Sequence, residues 1–148
     1  MLEPARDFVA QVGTLNGNPV AAVAGLATLA ELRKPGAYAR LHQTGRSLRD
    51  GVAELLKRSG LPAQVIGETT VFDIVFTDRP LIDYRAMLTA DGGMLKAFNT
   101  FCLERGIVKG KEKLYVSLAH SEEDVGRTLE VFEAALRSLP RSRRAARA

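Results

Sequence analysis

Gly13-Thr14-Leu15-Asn16-Gly17-Asn18-Pro19 leads straight into the apolar run Val20–Ala30, and the reading of these residues decides the fold. Glycines at 13 and 17 allow close backbone approach and unusual dihedrals. Asn18 is a favoured N-cap, and Pro19 suits a first helical position, where the missing N–H costs nothing. The pattern predicts a helix from Pro19 to Leu32. Nearly every residue of that helix is apolar or small, so it needs cover on all sides. Left bare, it is a surface for association. The turn before it joins backbone N–H groups, the Thr14 hydroxyl and a helix start, which suits an anion such as phosphate. An ordinary turn fits the same residues. Asn16 and Asn18 read as turn and cap residues rather than as ligands.

Downstream, Lys34-Pro35-Gly36 interrupts the helix. Ala37 to Ser59 predicts a second helix, with Tyr38, Leu41, Leu48, Val52, Leu55 and Leu56 as its buried stripe. Gly60-Leu61-Pro62 closes it. Gln64–Gly67 and Val71–Thr77 read as strands, the latter with Phe72, Ile74 and Phe76 on one face and Val71, Asp73 and Val75 on the other. Ile82 to Thr89 fits a helix or a loop, and Asp91-Gly92-Gly93 reads as a breaker. Met94 to Arg105 is a helix with Leu95, Phe98, Phe101 and Cys102 inward, stopped by Gly106. Ile107–Val108 starts a short strand, Gly110-Lys111-Glu112 turns, and Leu114, Val116 and Leu118 alternate along the return. Ser121-Glu122-Glu123-Asp124 resembles a capping box opening a last helix with Val125, Leu129, Phe132 and Leu136 inward. The sum is an α+β layer: a small, mainly antiparallel sheet covered by helices on one side. The expected organisation is a lead-in over 1–18, one domain over 19–139 and a basic tail over 140–148 read as a frayed terminus.

Composition excludes several functions. The net charge of +4 belongs to the four arginines beyond Pro140; without them 17 basic groups face 17 acidic ones. A neutral body argues against nucleic-acid binding by the folded part. A single cysteine, Cys102, leaves no internal disulfide and fits a reducing compartment; its helical apolar surroundings read as packing. His42 and His120 stand too far apart for metal-ligand spacing. No segment reads as a secretory signal, and Pro19–Ala30 is too short to span a bilayer, so the expected location is cytoplasmic. The cluster Lys109-Gly110-Lys111-Glu112-Lys113 reads as a solvated turn that could draw a carboxylate by its field.

The run Gln11-Val-Gly-Thr-Leu-Asn-Gly-Asn-Pro-Val20, with the Ala-rich segment after it, resembles the GTxxGNP segment of class III pyridoxal-phosphate aminotransferases, nearest to the glutamate-1-semialdehyde aminomutase group. Tyr115-Val-Ser-Leu-Ala-His-Ser-Glu-Glu-Asp124 resembles the strand, His-Ser turn and final helix of the same enzymes. Val71–Asp78 and Phe101–Ile107 fall between them in the matching order, so the resemblance covers residues 8–139. It implies the C-terminal small domain of the type I fold, preceded by a long inter-domain helix.

The resemblance implies pyridoxal 5'-phosphate as cofactor, a homodimer in the full-length enzyme, and an amino acid or amino-aldehyde substrate. It places Gly13 and Thr14 against the cofactor phosphate of the neighbouring subunit, and His120 in a structural turn. The cofactor-bearing lysine of such enzymes lies before the GTxxGNP segment, whereas Lys34, Lys57, Lys96, Lys109, Lys111 and Lys113 all follow it. No residue here is therefore assigned a catalytic or metal-binding role, and the chain alone is expected to be inactive in amino-group transfer. The alternative is a non-catalytic interaction module that pairs with a separate large-domain chain, or with itself, through helix 19–32.

Overall fold

The computed structural model describes residue 13 and residues 17–140. The expectations for residues 1–12, for Thr14 and Asn16, and for the arginine tail lie outside these. The chain divides into two units, Met1–Ala37 and Tyr38–Ala148, taken separately below.

In the first unit, Gly17 adopts φ +80°, a backbone that favours glycine, and sets the turn into α1 (Pro19–Leu32). The Asn18 side-chain oxygen accepts from the Val20 and Ala21 N–H groups at 2.9 and 3.2 Å, with Pro19 in the first position. Described by itself, α1 buries none of its residues, and Val20, Val23, Leu26 and Leu29 remain exposed.

The second unit builds the core. Its sheet has three strands, β1 (Gln64–Glu68), β2 (Val71–Val75) and β3 (Lys113–Tyr115), in the order β1-β2-β3 and antiparallel throughout. Glu68 pairs with Val71 across a two-residue turn, and Phe72 pairs with Gly67 on one side and Leu114 on the other. β2 is therefore central, which is why every residue after Val71 is buried, Asp73 included. Phe72, Ile74 and Phe76 meet Leu48, Val52, Leu55 and Leu56 of α2 (Ala37–Ser59) in one cluster. Met94, Phe98 and Cys102 of α4 (Gly92–Leu103) and Val125, Phe132, Ala135 and Leu136 of α5 (Glu122–Ser138) complete it. The α+β layer is as the sequence implies.

Several local expectations are corrected. Asp91-Gly92-Gly93 does not break the chain: Asp91 caps α4 by accepting from the Met94 N–H at 2.9 Å, and both glycines lie in its first turn. Met94 is buried, whereas Leu95 and Phe101 are only half-buried. Ile107–Val108 is not a strand and Gly110–Glu112 is not a hairpin turn, because β3 finds its partner in β2 instead. β3 ends at Tyr115, although the Val116 N–H still reaches the Thr70 carbonyl at 2.9 Å. Tyr38 is exposed, before the α2 stripe meets the core. The ambiguous Ile82–Thr89 holds a single helical turn, α3 (Tyr84–Met87), capped by Asp83.

His42 of α2 packs against the sheet's first turn. It is half-buried, and its Nδ1 lies 2.7 Å from the Thr69 hydroxyl in the β1–β2 turn. Gly45, one turn along, makes this approach possible, since a Cβ there would collide with the Thr69 carbonyl oxygen.

The predicted capping box of α5 is formed in full. The Asp124 N–H donates to the Ser121 hydroxyl oxygen at 3.2 Å, and the Ser121 N–H and hydroxyl both donate to the Asp124 carboxylate at 2.8 Å. The Ser121 N–H and hydroxyl hold the Asp124 carboxyl below its ordinary value. A depressed folded-state value contributes stability above the unfolded-state value that is lost as pH falls through the folded one. Asp124→Asn should therefore flatten the dependence of the urea midpoint on pH below about pH 4. Ser121→Ala should cost about 1 kcal/mol at neutral pH.

The deepest contact is aromatic. Phe98 sits edge-on to Phe132 at 4.9 Å between ring centres and 6.0 Å from Phe76. Phe132→Ala should cost about 3–5 kcal/mol, read as a lowered urea midpoint. That loss is large against the stability of a domain this small.

Candidate functional site

The residues singled out by sequence fall in two places. Gly13 is exposed, and Thr14 lies outside the described residues. The start of α1 is not a free anion cradle at its Val20 and Ala21 amides, because Asn18 already accepts from both.

The others lie in the second unit, where Lys109, Lys113 and His120 line a cleft of about 170 Å³ between α2, the 107–110 segment, β3 and the start of α5, while His42 meets the β1–β2 turn and Cys102 the core. Thr44, Leu48, Tyr115, His120 and Thr128 contribute to its walls. The His120 ring is committed to the turn: its Nδ1 accepts from the Ser117 N–H at 3.0 Å, while the Ser117 hydroxyl oxygen accepts from the Ala119 N–H at 3.3 Å. An accepting Nδ1 places the proton of a neutral ring on Nε2. Arg40 of α2 donates to the Leu118 carbonyl in the same turn. The expected structural hydrogen bond of His120 is thus present, and among the described residues no general-base partner is aligned with it.

The basic cluster departs from expectation. Lys111 and Lys113 are exposed, but the Lys109 side chain is 1% exposed. Its Nζ donates to the Glu112 carbonyl at 2.9 Å and the Gly110 carbonyl at 3.3 Å, and lies 3.5 Å from Asp73 Oδ1. Asp73 is itself buried, and its Oδ1 accepts from the Ile74 N–H at 2.7 Å. Burial pushes the Asp73 carboxyl up and the Lys109 ammonium down, and each charge partly offsets the shift of the other. The sequence carried a signal for this pair. A carboxylate inside Val71-Phe-Asp-Ile-Val-Phe76 needs a counter-charge when buried, although Arg79 and Lys96 stand nearer in sequence than the lysine cluster that supplies it.

Cys102 is fully buried, and burial pushes its thiol up to about 11, which suits packing and not nucleophilic attack. Among the described residues there is no group of three or more His, Cys, Asp or Glu able to hold a metal ion. No helix among them is long and apolar enough to cross a membrane.

No family model matches the chain. Over 130 residues it is 39% identical to glutamate-1-semialdehyde 2,1-aminomutase 2 of Brevibacillus brevis, which takes in 86% of this chain and 30% of that enzyme. The fold matches an omega-transaminase from Sphaerobacter thermophilus with a TM-score of 0.75 and 32% identity, over 87% of this chain and 30% of the other. It also matches the FumI protein of Sphingopyxis sp. MTA144, solved in its PLP internal aldimine form, with a TM-score of 0.66 and 26% identity, over 89% and 30% of the two chains. The chain thus spans about 30% of the length of the relatives it matches. The shared fold, and the identity that runs through nearly all of these residues, make the chain similar to the C-terminal part of glutamate-1-semialdehyde 2,1-aminomutases and transaminases.

Proposed function

We propose that this chain supplies the small-domain lobe of a class III pyridoxal-phosphate enzyme that works as a dimer. Its reaction moves an amino group on an amino acid or amino-aldehyde substrate, and the cofactor, when bound, serves as the electron sink. The observation that carries this reading is the aminomutase match at 39% identity across 86% of the chain. Gly13 and Thr14 hold the cofactor phosphate through two backbone N–H groups and a hydroxyl. Such donors suit an acceptor-only dianion, and the exposure of Gly13 leaves its backbone approachable. A cytoplasmic setting is supported by the free, buried thiol of Cys102, which needs no oxidising compartment.

A second reading is favoured by α1, whose apolar residues are exposed. In it the chain is an interaction module, and α1 docks on a separate large-domain chain or on a second copy. The two readings share the surface and differ in whether chemistry follows.

Mixed with pyridoxal phosphate, the 148-residue chain should give no stoichiometric absorbance band that depends on a single lysine. Mixed with the remaining two thirds of the Brevibacillus brevis enzyme as a separate chain, it should restore aminomutase turnover. Thr14→Val in that assembly should weaken cofactor binding about tenfold, the scale of one charge-assisted hydrogen bond. Turnover by the chain alone would overturn the small-domain reading. Assembly without turnover would favour the interaction module.

A further inference from the structure

The segment between α4 and β3 has no helix or strand of its own, yet side chains tie down three successive carbonyls in it. Lys109 Nζ takes Gly110 and Glu112, and Asn99 Nδ2 of α4 donates to the Lys111 carbonyl at 3.1 Å. Asp73 of the central strand anchors the ammonium from the sheet side. The shortest of the Lys109 contacts is to Glu112, and the longest is to Asp73. The lysine thus grips its own segment more closely than it grips the carboxylate.

This segment is also a wall. Val108 and Lys109 line the 170 Å³ cleft toward α2 and α5, and the same two residues line a second groove, toward α4, that includes Leu95, Asn99 and Leu103. The backbone that Lys109 holds stands between the two hollows at this point.

We propose that Lys109 is a latch: its ammonium, seated on Asp73, fixes the 109–112 segment as a rigid partition between the two clefts. Releasing it lets the segment swing away from the sheet and joins the hollows. This holds whether or not the chain takes part in amino-group chemistry, because it rests on packing alone.

A buried ion pair also predicts something simpler, that it matters only through the penalty of an orphaned charge when one partner is removed. The double substitution Asp73→Asn with Lys109→Met separates the two. The amide oxygen of the introduced asparagine can still accept from the Ile74 N–H, and no charge is left buried, so the melting temperature should stay near that of the parent. The two carbonyl ties made by Lys109 are nevertheless gone, and only the Asn99 bond to Lys111 is left. Trypsin added to the full chain under native conditions should then cut after Lys111 and Lys113 about tenfold faster than in the parent. Cleavage after Lys57 and Arg58 at the end of α2 and after Arg127 in α5 should be unchanged. Such nicking follows the population of the locally opened state. Parent-like cleavage after Lys111 and Lys113 in the double variant would overturn the latch. So would an acceleration shared equally by the α2 and α5 sites, since that reports loss of the whole fold.

Discussion

Phe98 has no exposed surface and touches the sheet and the last helix at once, through Phe76 on one side and Phe132 on the other. The sheet, α2 and the two helices that carry these rings share one cluster around this trio. β2 must be central because Phe72, Ile74 and Phe76 need cover along their whole length. α4 and α5 must lie together because the two rings meet edge to face, an arrangement that contributes about 0.5–1.5 kcal/mol beyond burial alone. The clefts are what remains between elements once the rings are enclosed.

Burial on both sides of β2 sets the electrostatic problem of the molecule. The strand carries Asp73 on the face away from the phenylalanines, and water is kept from it. A carboxylate in that position needs a cation, and Lys109, from outside the sheet, supplies it. Lys109 arrives from a segment without regular structure, and the backbone around it is shaped by the ammonium's other two bonds. Residues 107–112 are irregular because they are organised around a side chain, not around a ladder of backbone bonds.

That explains which parts of the fold were legible in sequence. The bounds of α1 and α2 were readable because each has local punctuation: Asn18-Pro19 at one start, Lys34-Pro35-Gly36 between them and Gly60-Leu61-Pro62 after. The capping box at Ser121 was readable for the same reason. Asp91-Gly92-Gly93 misled because an N-cap and a breaker use the same residues, and only the Met94 amide decides between them. The strand expected at Ile107 failed because the pairing of Lys113–Tyr115 with β2 is non-local. At the site, His120 was legible as a turn residue, whereas the burial of Lys109 needed the tertiary partner Asp73. The sheet edge that Lys113 joins could not be seen from a run of lysines.

Cys102 lies at the centre of this arrangement, fully enclosed, with a thiol that burial keeps protonated at neutral pH. Thiolate is the reactive form, so an alkylating reagent has almost nothing to attack while the chain is closed. Labelling of this one sulfur therefore proceeds only as fast as molecules unfold and expose it. The protein carries its own opening clock, readable by mass without any engineered reporter.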